Sequence, residues 1–252
     1  MASSPTEHRF ASFDGQEIAW RELGEGRPVI LIHGLFSHGE MNWLRWKTAQ
    51  TVADAGFRVI LPDLRAHGKS AAPHDPAAYP ADVLAQDIEA LVAHLGLTDF
   101  DLGGYSLGAR TTVRLLVRGL RPRRAVLAGM GLNGIVGSKL RSDFFLDAIA
   151  NRDSVEQGTP AWMAVQFMKT TGTDPEAVAH VLRVQQTTEA AALARIDMPV
   201  LVVCGVDDDD NGSAPDLAAA LPDGRYVGIP GNHMSSVTRP ELGTAIRDFL
   251  VA

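Results

Sequence analysis

The chain has 252 residues, 46% of them hydrophobic and 21% charged, with a formal net charge of −7. That is enough apolar material for one large buried core, and the acidic balance disfavours nucleic acid or an anionic membrane as a main partner. No uncharged apolar run is long enough to span a bilayer, and the single cysteine, Cys204, excludes an internal disulfide. The first eight residues have neither a basic segment leading into an apolar core nor a cleavage pattern, so a cytoplasmic setting is expected rather than secretion. Arg9–Phe13 and Glu17–Glu22 read as an antiparallel start joined at Asp14-Gly15, a hairpin signal. A strand over Arg27–Ile32 follows, then a helix near Trp43–Ala55, a strand Phe57–Leu61 and a helix Ala81–Leu95. Asp99-Phe100-Asp101-Leu102 reads as a short buried strand, and apolar spacing predicts a helix over Ala109–Leu120 and a strand over Arg124–Gly129. From about residue 131 to 194 the pattern predicts helices alone, over Lys139–Ala150, Pro160–Thr170 and Pro175–Gln185. The core resumes with the continuous apolar run Pro199–Gly205, a central parallel strand, then Tyr226–Ile229 and a helix from about Pro240 to Leu250. Eight strands alternating with helices predict an α/β fold, its mostly parallel sheet covered on both faces. Residues 1–252 are expected to form one domain, with residues 131–194 inserted as a helical cap.

Chemistry concentrates at strand ends. Gly104-Tyr105-Ser106-Leu107-Gly108 is a G-x-S-x-G pentapeptide between a strand and a helix, the context of a nucleophile elbow, although the five residues alone also fit an ordinary glycine-rich turn. Asp207 to Asp210 follow the Pro199–Gly205 strand, and His233 follows Tyr226–Ile229 in a loop. Both fall where open α/β sheets place their sites, and the order serine, acid, histidine is that of elbow-based hydrolases. The loop His33-Gly34-Leu35-Phe36 ends another strand and can aim a backbone N–H at a substrate carbonyl oxygen, with the N–H of Leu107 as second donor. The same order makes His233 the base and leaves His33 a structural residue bracing the loop.

These segments, together with Asp63-Leu64-Arg65-Ala66-His67-Gly68-Lys69-Ser70 and Gly205-Val206-Asp207-Asp208, resemble the α/β-hydrolase superfamily, specifically its small cofactor-free esterases and lactonases. The resemblance covers nearly the whole chain. It implies the α/β-hydrolase fold, and its Gly-x-x-Asp pattern selects Asp208 from the acidic cluster. Ser106 is then the nucleophile, His233 the base, Asp208 its orienting acid, and the N–H groups of Leu35 and Leu107 the oxyanion hole. Asp63, Arg65 and His67 brace the site from outside. The implied activity is cleavage of an ester or lactone, with no cofactor, and a site roofed by the apolar residues of the predicted cap would favour a small or medium apolar substrate. One departure is Ala109, where many relatives carry glycine, which weakens assignment to a single subfamily. The dehalogenase and epoxide hydrolase branches use aspartate at the elbow, whereas position 106 is serine. An acid after the sixth strand would fall near Gly131-Leu132-Asn133, and asparagine cannot serve.

The predicted cap has an apolar set, Phe144, Phe145, Trp162, Met163, Phe167 and Met168, most of which is expected to pack on the core. The residues expected to line the substrate site are Phe36, Tyr105, Met130, Phe145, Trp162, Phe167 and Met234. Asp207, Asp209, Asn211 and Gly212 copy the first half of a calcium loop, but Ala218 stands where a bidentate glutamate is needed, so no metal is expected. Cys204, in an apolar strand, is expected to be a buried, inert thiol. Two rivals share the same residues: a ligand receptor on this fold, told apart by multiple turnover, and a lyase or perhydrolase using the same triad.

Overall fold

The computed structural model describes residues 5–252. Met1–Ser4, where the segment read for a secretion signal begins, lie outside the described residues. The hairpin forms as expected, with β1 (Thr6–Ala11) antiparallel to β2 (Glu17–Leu23) and Gly15 at φ 83° in the turn, a conformation glycine adopts without strain. β3 (Arg27–Ile32) leads to a short π-helical turn at Glu40–Leu44, then α1 (Thr48–Ala53) and β4 (Phe57–Pro62). The single helix expected over 43–55 is thus broken, because Lys47 is left-handed at φ 63°.

α2 (Val83–His94) precedes β5 (Asp101–Tyr105), which runs through both glycines of the expected turn instead of stopping at Leu102. The glycines lack the side chains that signal a strand, yet the segment sits in the middle of the sheet, paired to β3 and a later strand. α3 (Leu107–Arg118) and β6 (Ala125–Ala128) follow. Between β6 and the next strand lie α4 (Leu132–Val136), α5 (Ser138–Ala150), α6 (Pro160–Thr171), α7 (Pro175–Arg183) and α8 (Ala190–Leu193). Pro at the first turn and a capping side chain start two of these: Thr159 accepts the N–H of Trp162, and Asp174 those of Glu176 and Ala177. The chain ends with β7 (Val200–Gly205), α9 (Ala214–Ala219), β8 (Gly224–Ile229), α10 (His233–Ser236) and α11 (Pro240–Val251).

The strands form one eight-stranded sheet in the order β1-β2-β4-β3-β5-β6-β7-β8. Only the pairings of β2, with β1 and β4, are antiparallel. Every residue of β5, β6 and β7 is buried, as a strand covered on both faces requires. One apolar layer joins the sheet to α2, α3 and the helices after β6; the other joins it to α1 and α11. No helix among the described residues is long and apolar enough to cross a membrane.

Candidate active site

Ser106 joins β5 to α3 with φ 54° and ψ −109°, a backbone that a non-glycine residue adopts only under strain. The flanking glycines make the turn possible. A Cβ at Gly104 would lie 2.3 Å from the Gly108 backbone, and one at Gly108 would lie 2.1 Å from the Ile32 carbonyl oxygen. Serine at a helix N-cap ordinarily accepts a bond from its own helix, but the Ser106 side chain caps nothing. Its Oγ points instead to His233 Nε2, 3.0 Å away.

His233 is the first residue of α10 rather than part of a loop. Asn232 caps that short helix in a reciprocal capping box with Ser235, which fixes the backbone under the imidazole. Across the ring, His233 Nδ1 is 2.8 Å from Asp208 Oδ2, and the Asp208 side chain is sealed from solvent. An Nδ1–H donated to the carboxylate leaves Nε2 free to accept the Ser106 proton. Burial pushes the Asp208 carboxyl up, but the His233 bond and charge, with donors from Cys204 and the Asp210 N–H, outweigh it and hold the group below its ordinary value. It is an anion near neutral pH. Ser106, His233 and Asp208 therefore come together, while Asp207 and Asp209 are exposed and Asp210 pairs with Arg141.

Leu107 is the first residue of α3, so its N–H has no intrahelical acceptor. Among the described residues neither it nor the Leu35 N–H donates to protein. The Leu35 loop is held from beneath by His33, fully buried, whose Nε2 accepts the Leu64 N–H and whose Nδ1 faces the Gly34 carbonyl. Asn42 accepts the Gly34 N–H. Asp63 accepts the Gly39 and Lys69 N–H groups and pairs with Arg21, and Arg65 is buried between Asp14 and Asp87. His67 packs its ring 5.2 Å from that of His33.

The expected lining set divides. Phe36 meets Phe145 edge-on at 5.6 Å, and Phe145 and Phe167 pack half-buried on the larger core layer. Trp162 is half-buried on α6 and Met234 largely exposed. Two residues do not fit the expectation. Tyr105 is buried in the layer of α1 and α11, behind the sheet, because strand alternation sends it opposite to Gly104, which faces α3. Its hydroxyl donates to the His233 carbonyl and lies 2.9 Å from Ser236 Oγ, so it ties the histidine turn to the elbow strand. Met130 has no exposed surface and packs against Gly134 inside the core.

Cys204 is buried as expected but not isolated. Its thiol lies 3.4 Å from the Asp208 oxygen that His233 also uses, and burial, then that carboxylate, push its pKa far up. Cys204 packs in the same apolar layer as α3, the layer that Gly104 also faces. Ligand atoms of Asp208, Asp210 and His233 lie within 4.8 Å of one another, yet the first two groups of that set are committed to His233 and Arg141. The calcium-like spacing does not converge either, since Asn211 turns inward to the Gly129 carbonyl while Asp207 and Asp209 face solvent.

A family model described as alpha/beta hydrolase fold matches residues 27–150. The chain is 35% identical over 150 residues to a non-heme chloroperoxidase from Kitasatospora aureofaciens, a match covering 58% of this chain and 51% of that protein. It spans about half the length, or less, of the curated relatives it matches. Among solved structures, an esterase from Exiguobacterium antarcticum superposes with TM-score 0.80 at 19% identity, covering 97% of this chain and 99% of that one. An enol-lactonase from Burkholderia xenovorans does so with TM-score 0.74 at 24% identity, covering 97% and 100%. Likeness at these identities shows the shared fold.

Proposed function

We propose that this chain, which belongs to the α/β-hydrolase superfamily, is a serine hydrolase that cleaves a carboxylic ester or lactone through an acyl-enzyme on Ser106. The observation that carries this reading is the continuous relay from Ser106 Oγ through His233 to Asp208, at 3.0 and 2.8 Å, on a strained elbow. In this mechanism His233 Nε2 takes the Ser106 proton as Oγ attacks the carbonyl carbon, and Asp208 stabilises the imidazolium. The N–H groups of Leu35 and Leu107 hold the oxyanion. The imidazolium then protonates the leaving oxygen, and a water activated by the same histidine releases the acid. Each step uses groups of the chain itself, so no cofactor enters.

The helices between β6 and β7 act in this reading as a cap within one domain of residues 1–252, with Phe36, Phe145, Trp162, Phe167 and Met234 facing the acyl or alcohol part. The substrate is a small molecule, and the setting that suits a lone buried thiol is the cytoplasm. The test is labelling with an organophosphonate and turnover of an ester and lactone panel, by wild type and Ser106→Ala in parallel. The adduct is expected on Ser106, with labelling and turnover lost in the variant; an adduct elsewhere, or full activity of Ser106→Ala, refutes the mechanism. Similarity to a chloroperoxidase favours a second reading, in which hydrogen peroxide replaces water on the acyl-enzyme and releases a peracid. Adding peroxide to the same assay and titrating peracid distinguishes the two.

A further inference from the structure

Three arginines of the described chain are at least nine-tenths buried: Arg21, Arg65 and Arg110. Arg21 meets Asp63, and Arg65 meets Asp14 and Asp87. Among the described residues Arg110 has no carboxylate partner. Its Nε donates to the Gly134 carbonyl at 3.1 Å and its Nη1 reaches Gln185 Oε1 at 3.5 Å, both neutral acceptors. Burial, then the neighbouring cation Arg141, push its pKa down to about 10, so it remains charged near neutral pH. A charged fork taken out of water without a counter-ion is a standing cost to the fold, and such costs collect at binding sites.

The position of Arg110 gives that cost a purpose. Its backbone N–H bonds the Ser106 carbonyl, one turn from the nucleophile or about 6 Å along the helix axis. Helical side chains lean toward the N-terminus, which here is the elbow. The groups around the guanidinium belong to the same neighbourhood: the Gly134 N–H donates to the carbonyl of Asn211, in the loop that carries Asp208. Arg141 lies over the Phe145 ring, which in turn meets Phe36 beside the Leu35 N–H.

We propose that Arg110 binds a carboxylate carried by the acyl part of the substrate, making this a hydrolase of dicarboxylic half-esters or carboxylated lactones; the inference rests on the serine hydrolase reading. A planar guanidinium fork matches a carboxylate in two parallel bonds, whereas the nearby Arg141 is already paired with Asp210. Gln185 offers a way to test this without removing the arginine, since Gln185→Glu supplies the missing counter-ion from within.

The experiment compares monomethyl succinate, glutarate and adipate with methyl butanoate, pentanoate and hexanoate in a pH-stat, for wild type, Arg110→Gln and Gln185→Glu. Charged hydrogen bonds of this kind are worth roughly 10- to 100-fold. Wild type is expected to favour at least one half-ester over its neutral partner by about that factor in kcat/KM, and both variants to collapse the ratio. Gln185→Glu should also raise the melting temperature, and it keeps the test open if Arg110→Gln does not fold. Preference for the neutral ester at every length, or a half-ester preference that survives Gln185→Glu, overturns the proposal and leaves Arg110 as a tie between α3 and α4. If neither ester series is turned over, the hydrolase reading fails. The anion site is then decided by glutarate, which should raise the melting temperature of wild type and not that of Gln185→Glu.

Discussion

Mild acid should destabilise this protein through two histidines that take no part in the proposed chemistry. His33 and His67 are 0% and 2% exposed. Burial, then the neighbouring His67, push His33 down to about 3 against the pull of Asp63 and the Gly34 carbonyl; burial pushes His67 down to about 4 against the Arg65 carbonyl and Asp63. The hydrogen bonds point the same way. The Leu64 N–H donates to His33 Nε2 at 2.9 Å, so that nitrogen cannot hold a proton in the native state, and His67 Nε2 is buried with no partner. In the unfolded chain both titrate near their ordinary value of about 6.5. Their native pKa values are depressed, so the unfolded state binds more protons below that value. Stability is full above about pH 6.5 and falls as pH drops toward the native values. At about pH 5.5 each histidine costs about 1.4 kcal/mol, or about 3 kcal/mol together, out of a total of about 5–15 kcal/mol for a typical domain. Urea unfolding at about pH 7.5, 6.5 and 5.5 reads this directly, and in His67→Gln the pH-dependent part should fall to about half. A loss under about 1 kcal/mol across that interval at constant m-value, or a His33 titration near pH 6.5 in the folded protein by NMR, refutes the reasoning.

Among the four adjacent aspartates, Asp208→Asn should lower kcat by ~10²–10⁴-fold with little effect on KM, while the same change at Asp207, Asp209 or Asp210 is mild; a large loss at one of those three instead removes Asp208 from its role. Because Asp208 is held below the ordinary carboxylate range, its ionisation should add no acid limb to kcat/KM above about pH 5, and a limb that disappears in Asp208→Asn contradicts this. Gly108→Ala forces a Cβ to 2.1 Å from the Ile32 carbonyl oxygen. It should destabilise by about 3 kcal/mol, and a melting temperature within a degree or two of wild type removes the steric account of the elbow. Tyr105→Phe strips the donor from the His233 carbonyl and should cost about 1–3 kcal/mol and roughly tenfold in kcat, read by urea unfolding and initial rates; unchanged kcat detaches Tyr105 from the histidine turn.

The fold was legible where burial is two-sided. Val200–Gly205 is apolar at every position but its last and is buried throughout, so a central strand was the natural reading. Periodicity fails where an element is shorter than its own signal. α4, α8, α9 and α10 are four to six residues long, under two turns, and cannot display a 3.6-residue repeat. α10 did carry a mark, which the loop reading of His233 passed over: Asn232 and Ser235 stand at the spacing of a reciprocal cap, a local signal independent of hydrophobicity. The break at Lys47 has no comparable mark, because lysine is not one of the residues that signal a left-handed backbone.

The same division runs through the site. Ser106, the cluster Asp207 to Asp210 and His233 were legible as strand-end positions marked by nearby glycines, while the choice of Asp208 within the cluster came from the family resemblance and not from the backbone. Tyr105 was misplaced for want of one step, that adjacent strand residues face opposite sides, so a residue next to the nucleophile must point away from it. Arg110 is a different matter. Arginine on a helix reads as solvated, and nothing around Ala109 and Thr111 says otherwise. It becomes a buried, uncompensated charge only when α4 and the end of α7 are laid over α3. Residues whose role depends on a covering segment with no pattern of its own are invisible in sequence. In this chain that covering is the helical segment between β6 and β7, and on the proposed reading the choice of substrate is set there rather than at the elbow.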